Sequence, residues 1–473
     1  MSEGYTTAAA SPLDAALKAA VGSRLYQHAL ELVLGVSLFG GSVFVWVVPM
    51  LFDAHISADT GIAPTSLVAS SSLIYFGWIG GCCVLSPWGD RVGRKPALVV
   101  SGLLAASGAL LTAAAGLHHA NPGRSMALVL AGRAVGGFAL GGLMPQALAL
   151  AVEASETAQA TAVGMLLNVY YCGAVALLAG YHYSISAARL PWAMEITGLG
   201  AFLGLATAGV AACAVESPSF LLSAGRAEAA AASLRRIASI NGAGDEAADL
   251  IAAVVRLQSD SPPSPLGPVS APEGLCRRAW LRRNACVGVA FFAVAASWFG
   301  LNLSAGALAS EARRRLWPRR CKKKSHAAPF PARQAMLSLL LLTLVDVPAY
   351  AVGGWLAERY GLRHTAAGAF AVGGAILASL AYLASHAFSQ PAITAAALAG
   401  KFCISGAFGL LWVLPAEMYP AHCLGAALGF ANVCGRSGSM LAPVATAALP
   451  LWGTAAACCA VSLAGAAALA AIE

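Results

Sequence analysis

The chain of 473 residues is 59% hydrophobic and only 11% charged. Soluble globular proteins carry about a quarter charged residues, so this composition excludes a soluble globular protein. The formal net charge is +8, and the long apolar runs predict an integral membrane protein.

Apolar runs of about 18 or more residues with few charges predict membrane-spanning helices. The sequence holds twelve such runs, numbered here as spans 1 to 12 in chain order: about 29–52, 66–86, 96–116, 126–151, 160–182, 192–213, 285–308, 335–357, 366–385, 392–414, 425–449 and 452–472. Most of the 50 glycines lie inside them, where small residues let membrane helices approach closely. The pattern predicts an all-α membrane protein with twelve transmembrane helices.

The loop charges predict the orientation, because lysine and arginine favour the cytoplasmic side. With a cytoplasmic N-terminus, and with the loop after span 7 set aside, the outer loops hold only Arg124 and Arg189. Both termini are therefore expected in the cytoplasm. The polar segment before residue 29 has no early apolar core, so span 1 is expected to direct insertion.

The connection after span 7 departs from this pattern. Residues 309–334 hold nine lysines and arginines on the predicted outer side. Three interpretations compete: a basic lid that gathers anions, an incorrect topology, or an insertion outside the fold. The low complexity of the run, which interrupts two clear spans, favours the insertion.

The chain repeats itself. "GDRVGRK" follows span 2 and "AERYGLRH" follows span 8, so that Asp90 aligns with Glu358, while Glu153 and Glu417 close spans 4 and 10. The two offsets, 268 and 264 residues, agree on one duplication. It predicts four segments: a cytoplasmic N-terminus at 1–28, a six-helix bundle at 29–213, a cytoplasmic linker at 214–284 and a second six-helix bundle at 285–472.

Charges in these two loops predict gating sites at the cytoplasmic face. We expect ionic clasps that hold one conformation closed and break when the two halves rock. The candidate gating residues are Asp90, Arg91, Arg94 and Glu153 in the first half and Glu358, Arg359, Arg363 and Glu417 in the second. Simple anchoring on the cytoplasmic side explains the arginines but not the paired acids.

The "GDRVGRK" loop resembles the signature loop of the major facilitator superfamily. "VDVPAYAVGGWLAERYG", "KFCISGAFGLLWVLPAEMYP" and "RSGSMLAP" resemble the organic cation and anion transporter group, and "ESPSFLLSAGR" resembles a segment shared with sugar porters. The resemblance implies two six-helix bundles that carry a small organic ion by alternating access. The outer loop after span 1, "DAHISADTGIAPT", is far shorter than in the animal members, and Ser86 replaces the first glycine of the signature loop.

Arg436 lies about eleven residues into span 11, roughly 16 Å along a helix, and so near the middle of the membrane. A charge there needs a partner, either a protein acid or a bound anion. The resemblance implies that this position selects the charge of the cargo and is basic in anion carriers, which favours an organic anion. Tyr350 stands where anion carriers commonly add a lysine, so the match to that branch is partial.

Further candidate substrate-binding residues lie inside the spans. Asp346 is expected to pair with Lys401, unless Lys401 extends to the membrane surface. The resemblance places five aromatic residues in the cavity, where they suit a flat organic molecule: Tyr171, Trp298, Phe299, Tyr350 and Trp412. Arg133 is expected to have a structural role.

Two alternatives remain open. A sugar porter would favour amide-lined cavities, and the spans hold few amides: Gln146, Asn168, Asn302 and Asn432. A sensor or scaffold that does not transport is the second alternative. The motifs indicate no enzyme and no cofactor, and the twelve cysteines show no metal-binding spacing. We expect a monomer without nucleic-acid partners in a lipid bilayer, the plasma membrane before an organelle membrane.

Overall fold

The structure is a computed structural model that describes residues 12–21, 24–42, 53–62, 64–118, 121–155, 159–187, 190–243, 280–316, 332–386, 388–419 and 424–472. Side chains are not described at some positions within these ranges, among them 305–316 and 332–343. The described residues form sixteen α-helices and one short 3₁₀ helix, and no strand occurs among them.

In the first half and the linker, the described residues form ten helices. They are α1 (Pro12–Val21), α2 (Leu25–Ser42), α3 (Asp53–Thr60), α4 (Pro64–Val92), α5 (Arg94–Ala114), α6 (Pro122–Glu153), α7 (Ala160–Ala187), α8 (Trp192–Cys213), α9 (Pro218–Ser223) and α10 (Ala227–Asn241). The 3₁₀ helix Ala115–His118 follows α5. Helices α2 and α4 to α8 correspond to predicted spans 1 to 6, although residues 43–52 of span 1 lie outside the described residues.

The second half contains six helices that correspond to spans 7 to 12. They are α11 (Leu281–Leu316), α12 (Ala332–Tyr360), α13 (Leu362–Ser385), α14 (Gln390–Met418), α15 (Leu424–Ala448) and α16 (Leu451–Ala470). Over the described residues, seven helices of the chain are long and apolar enough to cross a membrane. Helix α11 continues through the start of the predicted basic insertion, of which residues 317–331 lie outside the described residues.

Helices α4 and α6 pack closely because glycines face each other across their contact. A side chain on Gly137 would overlap the backbone of Ile74, and one on Gly81 would overlap the backbone of Phe138. Glycine therefore sets the distance between these helices, as small residues do in membrane bundles.

The helices of each half pack mainly on one another. In the first half α6 lies against α4 and α5, and α5 lies against α8. In the second half α13 lies against α14 and α16, and α11 lies against α15 and α16. The two halves meet through α4 against α15 and through α7 against α12. Residues on these four helices can therefore form contacts between the halves.

The N-terminal helix α1 packs on α9 and α10, where Leu17 and Leu234 are buried in one small apolar cluster. Asn241 at the end of α10 fixes this arrangement. Its Oδ1 accepts the backbone N–H of Tyr26 at 2.7 Å, and its Nδ2 donates to the carbonyl of Ala20 at 2.9 Å. The segment after α8 is thereby held against the start of the chain.

Candidate functional site

Arg436 is a buried cation in α15, only 4% exposed. It lies twelve residues after Leu424, roughly 18 Å along the helix axis. Its guanidinium carbon lies 3.5 Å from the centroid of the Trp78 ring and 5.9 Å from that of Phe299. Aromatic faces attract a cation, most strongly where water is excluded.

Arg436 has no carboxylate partner among the residues that the structure describes. Its Nε is buried without a hydrogen-bond partner. The buried ion pairs in the described ranges are made by Arg94 and Lys401 instead. Among the described residues, the aromatic faces of Trp78 and Phe299 lie against the Arg436 guanidinium.

Asp346 of α12 and Lys401 of α14 neutralise each other. The Lys401 Nζ lies 3.0 Å from the Asp346 Oδ1, and the two side chains are 0% and 2% exposed. The hydroxyl of Ser405 also donates to Asp346. Lys401 does not extend to the surface, and the carboxylate of Asp346 is engaged away from Arg436.

All five aromatic residues expected in the cavity are buried. Trp298 stacks on Phe408 with ring centroids 5.2 Å apart, and the Lys401 Nζ lies 4.0 Å from the centroid of the Trp298 ring. Phe299 contacts the edge of Tyr75 at 5.9 Å, which joins α11 to α4. Tyr171 lies in α7, and Tyr350 lies in α12. These rings make the centre of the protein apolar around its few charges.

A small cavity lies beside Arg436 in the second half. It is lined by Phe291, Val294, Ala295, Phe408, Trp412, Asn432, Gly435 and Arg436. Trp412 was expected here, whereas Phe291, Phe408 and Asn432 were not selected from the sequence. Asn432 lies one turn before Arg436 on α15, and that spacing of four residues was a usable signal.

Where α4 meets α5 and α6 ends, the structure brings Asp90, Arg94 and Glu153 together. The Arg94 Nη2 lies 3.1 Å from the Glu153 Oε1, and the Arg94 Nη1 pairs with Asp90. The Arg94 Nη1 also donates to the carbonyl of Gly89 at 3.2 Å. The three charged side chains are less than 10% exposed, so they form a buried cluster that joins α4, α5 and α6.

Glu216 completes this cluster and was not predicted. Its Oε1 accepts the backbone N–H of Arg94 at 2.9 Å, and its carboxylate also accepts the N–H groups of Lys95 and Ser217. It therefore caps the N-terminus of α5, where a negative charge is stabilised. Burial raises the pKa of the Glu216 carboxyl, and the backbone donors oppose that shift. Gly93 makes the sharp turn before α5 with a φ of 119°, which favours glycine.

The corresponding residues of the second half do not come together, contrary to the expectation. Arg363 donates to the carbonyl of Ile472 after α16, and Glu358 and Glu417 are exposed. No ion pair joins these three residues in the described structure. The acids stay hydrated at the surface, and the backbone after α16 offers Arg363 a nearer acceptor.

Two further arginines of the repeated loops lie outside both sets of contacts. Arg91 is exposed, and Arg359 lies over the ring of Trp355 at 5.3 Å.

No cluster of three or more histidine, cysteine or acidic side chains suited to a metal occurs in the described ranges.

The described geometry can be compared with known proteins. Residues 32–306 match the family model "Sugar (and other) transporter". The chain is 25% identical over 396 residues to "Organic anion transporter 3" of Oryctolagus cuniculus, which covers 82% of this chain and 66% of that protein. It is 26% identical over 408 residues to "Solute carrier family 22 member 20" of Mus musculus, which covers 84% of this chain and 66% of that protein.

The chain thus spans just under two thirds of the length of these relatives. A solved structure of the major facilitator superfamily proton:xylose symporter XylE superposes with a TM-score of 0.70 at 15% identity, over 94% of this chain and 95% of that one. This likeness confirms the predicted all-helical fold. Because the family model matches more than half of the sequence, the chain belongs to the sugar (and other) transporter family and has the major facilitator fold.

Proposed function

We propose that this protein is a membrane transporter, and not an enzyme, that moves a small organic anion by alternating access. The observation that carries the proposal is the burial of Arg436 without a carboxylate partner in the part of the chain that the structure describes. A buried charge is costly unless a counter-charge accompanies it. An anionic cargo supplies that counter-charge.

The charges of the side chains around the site support a negatively charged cargo. Asp346 and Lys401 cancel, and Arg436 adds a positive charge to the small cavity that it lines. An organic cation would meet repulsion from Arg436 and would find the carboxylate of Asp346 already paired. The name of one relative, organic anion transporter 3, agrees with the same sign.

The aromatic residues support an organic cargo with a flat or apolar body. Trp298, Phe299 and Trp412 are buried. Trp298 lies against Lys401, Phe299 lies near Arg436, and Trp412 lines the cavity with Arg436. Such rings bind planar molecules through stacking and dispersion contacts. A sugar would instead need several polar side chains, and the small cavity offers one amide, Asn432.

Gating is assigned to the buried cluster at the cytoplasmic end of the first half. Asp90, Arg94, Glu153 and Glu216 tie α4, α5, α6 and the linker together. The cluster must loosen when these helix ends separate, so it favours the conformation that is closed on this side. Glu358 and Glu417 are exposed and contribute less to this closure.

The setting of the protein is also part of the proposal. Arg91 lies in the loop between spans 2 and 3, and Arg363 lies in the loop between spans 8 and 9. Basic residues in these loops favour a cytoplasmic location for both termini. We place two bundles at 29–213 and 285–472 in the plasma membrane, joined by the linker 214–284, with one chain forming a complete pathway.

A substrate panel tests the proposal. Purified protein in proteoliposomes is given labelled aromatic carboxylates and labelled quaternary ammonium compounds of similar size. We expect saturable uptake of the carboxylates, inhibited by unlabelled carboxylates only. Uptake of the ammonium compounds alone would overturn the anion assignment, and no saturable uptake of either would overturn the transport assignment.

A further inference from the structure

A hydrogen bond fixes which way the nitrogen and the oxygen of the Asn432 amide point beside Arg436. Its Nδ2 donates to the carbonyl of Leu428 at 3.0 Å. A carbonyl oxygen can only accept, so the nitrogen of the amide must face Leu428 and its oxygen must face away. The amide therefore offers an acceptor to its remaining surroundings.

That acceptor has no partner. The Asn432 Oδ1 is buried without a hydrogen bond, and the side chain is 2% exposed. Asn432 lines the small cavity together with Arg436, so neither polar group has its hydrogen-bonding capacity filled there. Buried acceptors without partners are rare, because each loses hydration without compensation.

The two groups lie one helical turn apart on the same face of α15. Four residues separate them, which corresponds to about 6 Å along the axis. One is a cationic donor and the other a neutral acceptor. The ligand that satisfies both has an acidic group and, at a similar spacing, a hydrogen-bond donor.

The remaining lining residues of the cavity are apolar: Phe291, Val294, Ala295, Phe408, Trp412 and Gly435. Its volume, about 10 Å³, holds a group the size of one water molecule. A hydroxyl, an amino group or a methyl group fits this space. Because a methyl group would fit equally well, Asn432 decides between a polar and an apolar substituent.

We propose that Asn432 is a specificity-determining residue that selects organic anions bearing a hydroxyl or amino group. The acidic group of the cargo binds Arg436, and its hydroxyl or amino group donates to the Asn432 Oδ1. This inference rests on the proposed function and adds a second chemical requirement to it.

The test compares ligands that differ only in that group. Binding of 3- and 4-hydroxybenzoate and of 3- and 4-methylbenzoate is measured by tryptophan fluorescence of the purified protein in lipid nanodiscs. Leaving a buried acceptor unpaired lowers affinity by roughly tenfold or more, so the wild type should prefer at least one hydroxyl compound over its methyl partner by about that factor. In Asn432→Leu the preference should vanish or reverse.

Asn168→Leu is the matched control. The Asn168 amide is held in the same way, with its Nδ2 donating to the Gly164 carbonyl at 2.8 Å, but it does not line the cavity. It should keep the preference of the wild type. Thermal unfolding checks that each variant is folded, and Asn432→Ala replaces Asn432→Leu if the larger side chain prevents folding.

The outcomes separate this inference from the function on which it rests. A wild type that binds hydroxyl and methyl compounds equally, with binding still lost in Arg436→Asp, overturns the role of Asn432 and leaves the anion site intact. A wild type that prefers the methyl compounds likewise overturns the role of Asn432 and leaves the anion site intact. Failure of all four benzoates to bind would instead contradict the anion site itself.

Discussion

Arg436 and Trp78 form a stacked cation–π pair across the two halves of the protein, with 3.5 Å between the guanidinium carbon and the ring centroid. Trp78 belongs to α4 in the first half, and Arg436 belongs to α15 in the second. The proposed cargo-binding cation therefore lies in a contact that must rearrange when the halves move. We therefore expect cargo binding and bundle movement to be linked at this pair.

Replacing Trp78 should destabilise the protein more in the absence of cargo than with cargo bound. Trp78→Leu removes the aromatic face under a buried cation, a contribution of about 2 kcal/mol where water is excluded. We expect a lower thermal unfolding temperature without cargo and a larger stabilisation by a saturating aromatic carboxylate than in the wild type. The control is Trp355→Leu, since Trp355 is 53% exposed and lies over Arg359 at the surface. Equal ligand stabilisation in Trp78→Leu and the wild type would contradict the link.

Neutralising Asp90 or Glu153, the two acids that pair with Arg94 in the buried cluster, should impair transport without preventing insertion into the membrane. Asp90→Asn and Glu153→Gln each remove one of the two buried acids that pair with Arg94 and should lower initial uptake by about tenfold, because the lost ion pair shifts the conformational balance. Uptake is measured at matched amounts of reconstituted protein. Glu417→Gln, an exposed acid of the second half, serves as the control and should be nearly silent. Full activity in both clasp variants would remove the gating role.

Glu216 should act mainly through its hydrogen-bond acceptors at the start of α5. Glu216→Gln keeps one acceptor for the backbone N–H groups of Arg94 and Lys95, whereas Glu216→Ala removes both. We expect a small loss of uptake in the first variant and a loss of about tenfold in the second. Glu228→Ala, an exposed acid on α10, is the control. Normal transport by Glu216→Ala would show that the linker does not stabilise the buried cluster of Asp90, Arg94 and Glu153.

The Asp346–Lys401 pair should behave as one unit. Asp346→Asn leaves Lys401 buried without a counter-charge and should destabilise the protein by about 3–5 kcal/mol. The double variant Asp346→Asn with Lys401→Gln should recover much of that loss, since no charge is then left unpaired. Thermal unfolding of the two single variants and the double variant measures the coupling. Additive losses would show that the two residues act independently.

The sequence predicted the fold well because hydropathy and duplication are properties of the chain itself. Twelve apolar runs lead to twelve helices, and the repeated loops pointed to Asp90, Arg94 and Glu153, which the structure brings together. Their gating role stays a prediction. The same repeat failed for Arg363, because alignment gives spacing and not the position of the Ile472 carbonyl that this arginine binds.

The candidate site was only partly predictable for a related reason. Arg436 stood out because a charge in the middle of a span is rare. Trp78 did not, since one aromatic residue in a membrane span is ordinary until its partner on another helix is known. Asn432 was noted only as one amide among four, and its importance depends on which of its atoms is left without a partner.

The most direct test of the account is the sign of the ligand at Arg436. Competition by a panel of aromatic carboxylates and quaternary ammonium compounds is measured in the wild type, Arg436→Lys and Arg436→Asp, with the exposed Arg124→Asp as the control for the same change in charge. We expect carboxylates alone to compete in the wild type and weakened competition in Arg436→Lys, which loses the two parallel hydrogen bonds of a guanidinium. Carboxylate competition should be lost in Arg436→Asp and unchanged in Arg124→Asp. Carboxylate competition that persists in a folded Arg436→Asp protein, or a wild type inhibited only by cations, would contradict the account.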